Sequence, residues 1–378
     1  MIKNFLIPVV AVVALASCKK EGCTDPTALN YDSKAKKDNS SCQYDESYPV
    51  PTTYTFTDAS GNSTVDYSGQ TDRLNQLREM VVLMKSGASA TVNAQDLLDM
   101  YANTGGDGNG NFSFSSSKQL KDKTFLADQS LFELWMNNLA TASVSNGSAA
   151  SNGQAGTLTT GTSTYLFDEN GIEYVQLIEK GLMGGVFMNQ ALNVYFGAGK
   201  MNVDNTNAVD PAAGKYYTEM AHHWDEAFGY FGVGTDFPTS IPTDFWGKYC
   251  NSTNSVLNSN ADMMSNFLKG RAAIAANKLS DRDAAIQALR TEWEEISAQK
   301  AIDYVNEAIA AFGTDNAKFL HVLSEAYAFS WNLRYAPVET RRMNPTEHTA
   351  LMALFPTNFW NTSISDLNAI KNALNAKY

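Results

Sequence analysis

Residues 215–234 read KYYTEMAHHWDEAFGYFGVG and contain two of the four histidines among the 378 residues of the chain. Because successive residues of an α-helix are about 100° apart, this stretch predicts a helix with two opposed stripes. One stripe is apolar and aromatic, and it comprises Tyr217, Met220, Trp224, Phe228 and Phe231. The other carries imidazoles and carboxylates, and it comprises Glu219, His222, His223 and Glu226. The polar stripe is therefore either solvated surface or the wall of a site.

Apolar residues at helical spacing also mark most of the chain beyond residue 72. Residues 172–196, which we name the core helix, look the most buried because residues 181–199 carry no charge. Its Gly181, Gly184 and Gly185 would let a neighbouring element approach closely. Further helices are predicted at 72–85, 93–101, 125–140, 262–277, 280–312, 316–335, 346–354 and 366–376. About eight to ten helices in antiparallel pairs predict an all-α fold of antiparallel helix bundles.

The segments outside these helices have weaker patterns. Residues 54–67 alternate aromatic, β-branched and polar side chains around Ser60-Gly61-Asn62, which predicts a small N-terminal β-hairpin. Residues 143–164 are rich in Ser, Gly, Thr and Ala and are expected to form a flexible excursion. Residues 237–250 contain aromatic side chains and prolines and are expected to form a linker. Ser365 is the expected N-cap of the last helix.

The amino-acid composition limits the classes of protein to which the chain can belong. Apolar residues make up 44% and charged residues 18% of the chain, which is typical of a globular protein. The net charge is −12, from 28 basic and 40 acidic residues, and no basic cluster is long enough to follow a phosphate backbone. We therefore expect no nucleic-acid partner.

The N-terminus indicates export. Lys3 precedes an apolar run over residues 5–14, which is too short to span a bilayer. The next four residues, Leu15-Ala16-Ser17-Cys18, resemble the lipobox of bacterial lipoproteins. The resemblance implies that residues 1–17 are a signal peptide and that Cys18 is lipidated. A lipid-anchored protein of the outer membrane or the cell surface of a Gram-negative bacterium is expected, with the membrane as its first partner.

Residues 18–48 are polar and look like a tether between the lipid anchor and a helical domain at residues 49–378. With Cys18 lipidated in an exported chain, Cys23 and Cys42 are the natural disulfide pair. The Gly-Cys-Thr-Asp-Pro sequence at residues 22–26 resembles a small module of exported bacterial proteins. This loop is either a spacer closed by a disulfide or a cation site built from Asp25, Asn30, Asp32 and Asp38.

Motifs of common enzyme classes are absent from the sequence. The chain contains no His-Glu-x-x-His zinc helix, no Gly-x-Ser-x-Gly elbow, no phosphate-binding loop and no dinucleotide fingerprint. Catalysis is therefore less expected than binding.

The spacing of His223 and Glu226 places both on one helix face, as in helix bundles that hold metals with carboxylates from facing helices. Imidazole and carboxylate together suit iron, zinc or manganese. Glu219 and His222 could add ligands from the same helix. The plausible partners from other helices are Glu179, Glu325, Glu173 and His321. The alternative is a solvated pair of histidines bonded to carboxylates of their own helix.

The segment Met220-Ala221-His222-His223-Trp224-Asp225-Glu226 resembles the Gly-x-His-x-x-Glu signature of imelysin-like proteins, with Ala221 in place of the glycine. Residues 67–71, 179–184, 323–327 and 334–335 extend the likeness to an uncharacterised lipoprotein domain family related to the imelysins. The resemblance implies a helical double bundle, metal binding at His223 and Glu226, and a role in the acquisition of iron or haem.

Three functions are consistent with these patterns. The first is a lipid-anchored binding protein for iron or another divalent metal, which could serve an outer-membrane uptake receptor. The second is a metal-dependent hydrolase with Glu219 or Asp225 as general base. The third is a structural or interaction lipoprotein without a metal site, whose contact surface would be the aromatic segment 237–249.

Overall fold

The structure, a computed structural model, describes residues 20–26, 28–43 and 48–378. The chain divides into two compact units, Met1–Pro49 and Val50–Tyr378. The predicted signal peptide and the predicted lipidation site at Cys18 lie outside the described residues.

The described part of the first unit is a short loop closed by a disulfide. Strand β1 (Glu21–Gly22) pairs in parallel with β2 (Lys37–Asp38), and Cys23 is bonded to Cys42 with a Cα–Cα distance of 4.7 Å. Asn30 accepts a hydrogen bond from the Gln43 backbone N–H, and Asp32 accepts one from that of Lys34. These side chains therefore bind the loop's own backbone.

The second unit consists mainly of helices, which confirms the all-α prediction. Four strands form two antiparallel pairs: β3 (Gly156–Thr160) with β4 (Ser163–Phe167), and β5 (Ala208–Asp210) with β6 (Lys215–Thr218). The α-helices are α1 (Ser68–Ser86), α2 (Ala94–Ala102), α3 (Gln129–Ser143), α4 (Tyr174–Leu182), α5 (Ala198–Met201), α6 (Glu219–Phe231), α7 (Phe245–Leu257), α8 (Ser259–Ala275), α9 (Leu279–Ala311), α10 (Asn316–Asn332), α11 (Pro345–Met352) and α12 (Ile364–Asn375).

Helix α9 organises the packing. Its 33 residues extend for about 50 Å at ~1.5 Å per residue. Helices α8 and α10, which precede and follow it in the chain, pack along it, and α12 packs against it as well. Helix α4 packs against α3 and α10. None of the helices within the described ranges is both long and apolar enough to cross a membrane.

The core helix begins as α4 and continues through two π-helical segments, Met183–Met188 and Gln190–Tyr195. Every residue from Tyr174 to Leu192 is buried, as expected for a segment with so few charges. A β-carbon at Gly184 would lie 2.0 Å from Oδ1 of Asn332 in α10. The predicted close approach is therefore made by a side chain of the neighbouring helix.

Substitution of Gly184 by alanine is expected to destabilise the fold by about 1–3 kcal/mol, because Asn332 must move out of a packed interface. The Gly199→Ala variant is the matched control, since a β-carbon there meets no atom within 4 Å. Urea unfolding followed by circular dichroism measures both. Equal stability of the two variants would contradict the close packing at Gly184.

Several local predictions differ from the structure. Residues 54–67 form the expected turn, but only one antiparallel bridge, between Thr57 and Ser63. The expected flexible excursion at 143–164 contains strand β3 and the start of β4, which pair around a turn at Gly161 with a positive φ of 56°. The expected linker at 237–250 is helical from Phe245. The last helix is capped by Ser363, which accepts a hydrogen bond from the Asp366 N–H, and not by Ser365.

Candidate functional site

The residues at the start of helix α6 determine where the helix begins. Thr218 ends strand β6 and caps the helix, and its hydroxyl accepts a hydrogen bond from the Ala221 N–H at 3.2 Å. Tyr217 thus precedes the helix, although the sequence pattern places it on the helical stripe. The other members of the apolar stripe are buried: Met220, Trp224, Phe228 and Phe231.

His223 lies at the centre of a polar cluster on the opposite stripe. Its Nδ1 lies 2.9 Å from Oε2 of Glu226, and its Nε2 lies 3.6 Å from Oε1 of Glu219. Gln70 of α1 donates a hydrogen bond to Oε1 of Glu226 at 3.1 Å. Tyr195, at the end of the core helix, has its ring centroid 6.0 Å from that of His223. We name these five residues the His223 cluster.

The protonation pattern of the His223 cluster follows from Glu226. Burial favours the protonated carboxyl, but hydrogen bonds from His223, Gln70 and Tyr195 outweigh it and lower the pKa of Glu226. An ionised Glu226 accepts a proton-bearing Nδ1, so the lone pair of a neutral His223 lies on Nε2. This Nε2 is buried and has no hydrogen-bond partner. In the neutral form of His223, Nε2 is therefore held in place with its lone pair unused.

His222 and Glu219 differ in their surroundings. The ring of His222 stacks on Tyr217, with centroids 4.4 Å apart. The side chain of Glu219 is 52% exposed, whereas that of His223 is 8% exposed. The His223 cluster therefore opens to solvent at Glu219.

The other predicted metal ligands form a second cluster around Lys180. The Lys180 ammonium lies 2.9 Å from Oε2 of Glu179 and 3.5 Å from Oε1 of Glu325. His321 bridges two carboxylates, with Nδ1 2.6 Å from Oε2 of Glu173 and Nε2 3.5 Å from Oε2 of Glu325. We name these five residues the Lys180 cluster.

The structure does not bring the predicted ligand set together. Glu179 precedes Tyr195 by 16 positions on the core helix, which separates the two clusters by on the order of 20 Å. Glu179 and Glu325 are instead neutralised by Lys180. Within the described residues, no three or more His, Cys, Asp or Glu side chains form a group that could hold a metal ion by themselves. Of the predicted ligands, Glu219, His223 and Glu226 lie together in the His223 cluster.

Asp225, which the sequence offers as a general base, is fully buried and engaged. It accepts hydrogen bonds from Nε of Arg271 at 2.8 Å and from the Tyr54 hydroxyl at 2.8 Å. This ion pair joins α6, α8 and the segment before α1, so it is a structural contact. The aromatic segment 237–249 is also buried at Phe237, Phe245, Trp246 and Tyr249, so these rings offer no contact surface.

A cleft of about 600 Å³ lies above the Lys180 cluster. Residues of α1, β4, α4, α7 and α10 line it. Its base consists of the Lys180 cluster and Gln176, and its mouth carries Arg78, Lys85, Asp244 and Lys248. We name it the charged cleft.

The charges of the cleft shift the pKa values of its members. Burial disfavours imidazolium, but the carboxylates of Glu173 and Glu325 outweigh burial and raise the pKa of His321. Burial and repulsion from Lys180 lower the pKa of Lys248. Perturbed groups in a cavity are typical of binding and catalytic sites.

Raising the pH above about 6.5 is expected to remove stability that the His321 contacts contribute. His321 binds its proton more tightly in the folded chain than in the unfolded chain. The stability that the protonated imidazole contributes is therefore fully present below the pKa of His321 in the unfolded chain. It is lost as the pH rises through the pKa of His321 in the folded chain. Urea unfolding between about pH 6 and 9 should show the wild-type chain losing stability relative to His321→Gln.

His348→Gln is the matched control for this experiment. Burial lowers the pKa of His348. The pH-dependent stability that arises from His348 therefore has the opposite sign, and it changes only below about pH 6.5. Parallel curves for the wild-type chain and His321→Gln above that pH would contradict the assigned contacts of His321.

Other elements bring residues to the two clusters that the sequence patterns do not indicate. Gln70 and Tyr195 are separated from Glu226 by many residues in the chain, and no short spacing relates them. The pairing of Lys180 could have been predicted from the sequence, because a lysine in an otherwise apolar helix must be paired when it is buried.

Comparison with known proteins assigns the second unit. No curated protein and no solved structure matches the chain significantly. One family model, described as "Domain of unknown function (DUF4856)", matches residues 51–378. That range contains α1 to α12 and therefore both the His223 cluster and the Lys180 cluster. The chain belongs to the DUF4856 domain family.

Proposed function

We propose that this protein is a lipid-anchored cell-envelope protein that captures iron or another divalent metal through His223 and Glu219. The observation that carries the proposal is the buried Nε2 of His223, which has no hydrogen-bond partner while Glu226 holds Nδ1. Metal-bound histidines commonly donate the other ring N–H to a carboxylate, which fixes the ring and its tautomer.

The distance between the two donor atoms supports the proposal. Two ligands about 2.1 Å from one ion at a tetrahedral angle lie about 3.4 Å apart. Nε2 of His223 and Oε1 of Glu219 are 3.6 Å apart, so a small rotation of the exposed glutamate suffices. Because the side chain of Glu219 is 52% exposed, water or a chelator that delivers the metal could fill the remaining coordination positions of a bound ion.

The envelope location rests on the N-terminal sequence. Leu15-Ala16-Ser17-Cys18 supports lipid anchoring, and the disulfide between Cys23 and Cys42 is consistent with an oxidising compartment. The likeness of residues 220–226 to the imelysin signature supports kinship with proteins of iron or haem acquisition. An outer-membrane uptake receptor is the proposed partner.

The test is metal binding by the purified chain. Titration calorimetry with Fe²⁺, Zn²⁺ and Mn²⁺ should give about one ion per chain for at least one metal. His223→Ala should weaken that binding by at least tenfold, since each lost ligand of this kind removes about 1.4 kcal/mol or more. Glu219→Gln should weaken it without loss of stability, because its side chain is half exposed.

His348→Gln serves as the control for loss of a buried histidine. Nε2 of His348 donates a hydrogen bond to the Ser330 carbonyl oxygen at 3.1 Å, and His348 lies in neither cluster. It should bind metal as the wild-type chain does. Absence of binding in the wild-type chain, or equal binding in His223→Ala, would overturn the proposal.

A further inference from the structure

The charged cleft is a second candidate site, on the order of 20 Å along the core helix from Tyr195 of the His223 cluster. Its volume of about 600 Å³ is in the range of pockets that hold small molecules. The metal proposal uses none of its residues. Its function can therefore be tested independently of metal binding.

A buried acceptor at the base of the cleft lacks a hydrogen-bond donor. Gln176 is 3% exposed, and its Nε2 donates to Glu173 at 2.9 Å while its Oε1 has no partner. Glu179, on the same helix, is 8% exposed, and its Oε2 lies 2.9 Å from the Lys180 ammonium. Since buried polar atoms are nearly always satisfied, the Gln176 oxygen indicates a missing donor.

The charge at the base of the cleft points to the same complement. Three buried carboxylates, those of Glu173, Glu179 and Glu325, face one permanent cation, Lys180. His321 adds at most one further positive charge. An ammonium group would supply both the missing charge and the missing hydrogen-bond donor to Gln176.

The mouth of the cleft has the opposite character. Lys85 and Lys248 are exposed, with the Lys248 ammonium 5.2 Å from the centroid of the Tyr249 ring. Neither forms an ion pair with any residue that the structure describes. Arg78 is paired with Asp244 beside them. Two unpaired ammonium groups at the mouth suit a carboxylate, even though the protein as a whole has a net charge of −12.

We propose that the charged cleft binds a small zwitterionic ligand of the amino-acid or short-peptide class. The ligand ammonium lies against Gln176 and Glu179 at the base, and the ligand carboxylate lies between Lys85 and Lys248 at the mouth. The four fixed cations and four carboxylates that line the cleft balance, which favours a ligand with separated charges and no net charge.

The experiment uses the purified full chain with a panel of the common L-amino acids and of dipeptides and tripeptides. Each peptide is also tested in an N-acetylated form and, separately, in a C-amidated form. Thermal shift identifies the binders and titration calorimetry gives Kd. At least one free zwitterion should bind, and each blocking group should weaken it by tenfold or more. Free amino acids and peptides are distinguished by which arm of the panel binds.

The decisive variant is Lys85→Gln/Lys248→Gln, which changes exposed side chains and should leave the fold intact. It should weaken binding of the free peptide by at least tenfold and leave the already weak binding of the C-amidated peptide unchanged. Lys215→Gln, an exposed lysine elsewhere, is the control. No binding by any free zwitterion, equal binding of blocked peptides, or an unaffected double variant would overturn the proposal.

Discussion

Replacing Asp225 by alanine is expected to lower the free energy of unfolding by about 3–5 kcal/mol, because it leaves a buried guanidinium without its counter-charge. The side chains of Asp225 and Arg271 are 0% and 3% exposed. Arg271 would keep its hydrogen bond to the Thr64 carbonyl at 2.9 Å, but a neutral carbonyl does not replace a carboxylate. Urea unfolding monitored by circular dichroism measures the loss.

Tyr54→Phe is the graded control for Asp225. It removes one donor to the same carboxylate, at 2.8 Å, and keeps the ion pair with Arg271. Its expected cost is about 1.5–3 kcal/mol, as for a hydrogen bond to a charged group. If Asp225→Ala costs less than Tyr54→Phe, the ion pair is not the contact that holds α6, α8 and the segment before α1 together.

Replacing Lys180 by methionine is expected to have an effect of similar size, about 3–5 kcal/mol at neutral pH. Methionine matches the length of the lysine stem but leaves Glu179 buried without its ion-pair partner and leaves Glu325 with His321 alone. The variant should regain stability as the pH falls, because the two carboxyls then bind protons more tightly in the folded state than in the unfolded state.

The control for Lys180→Met is the triple variant Lys180→Met/Glu179→Gln/Glu325→Gln. Neutral side chains of similar size replace Lys180 and both of its ion-pair partners, so most of the lost stability should return, and the gain in stability at low pH that is caused by Lys180→Met should disappear. A Lys180→Met chain with unchanged stability would show that the buried carboxylates do not depend on Lys180.

Helix periodicity predicted most of the fold. The core helix, α9 and α10 are long and apolar on the faces that pack, so their positions follow from spacing and from the residues that end them. Strand β3 was missed because Thr157, Thr159 and Thr160 alternate little in polarity and resemble a polar linker. Helix α7 was missed because Pro238 and Pro242 suggested an irregular segment, whereas the helix begins after both.

The local part of the candidate site could also be predicted. His223 and Glu226 are three positions apart on one helix, and the structure brings their side chains to 2.9 Å. Contacts between helices could not be derived in this way. Spacing within α10 relates His321 to Glu325, but only the packing of α4 against α10 brings Lys180 between Glu179 and Glu325. Without that packing, Glu179 and Glu325 looked like ligands for a metal.

Anomalous X-ray diffraction from crystals grown with Zn²⁺ or Fe²⁺ tests the metal site most directly. We predict an anomalous peak within about 2.2 Å of Nε2 of His223, with Glu219 turned toward it and Glu226 still bonded to Nδ1. The peak should be absent from His223→Ala crystals grown in the same way. A metal-bound chain with no peak at His223, or with its peak at other residues, would show that His223 does not hold the metal.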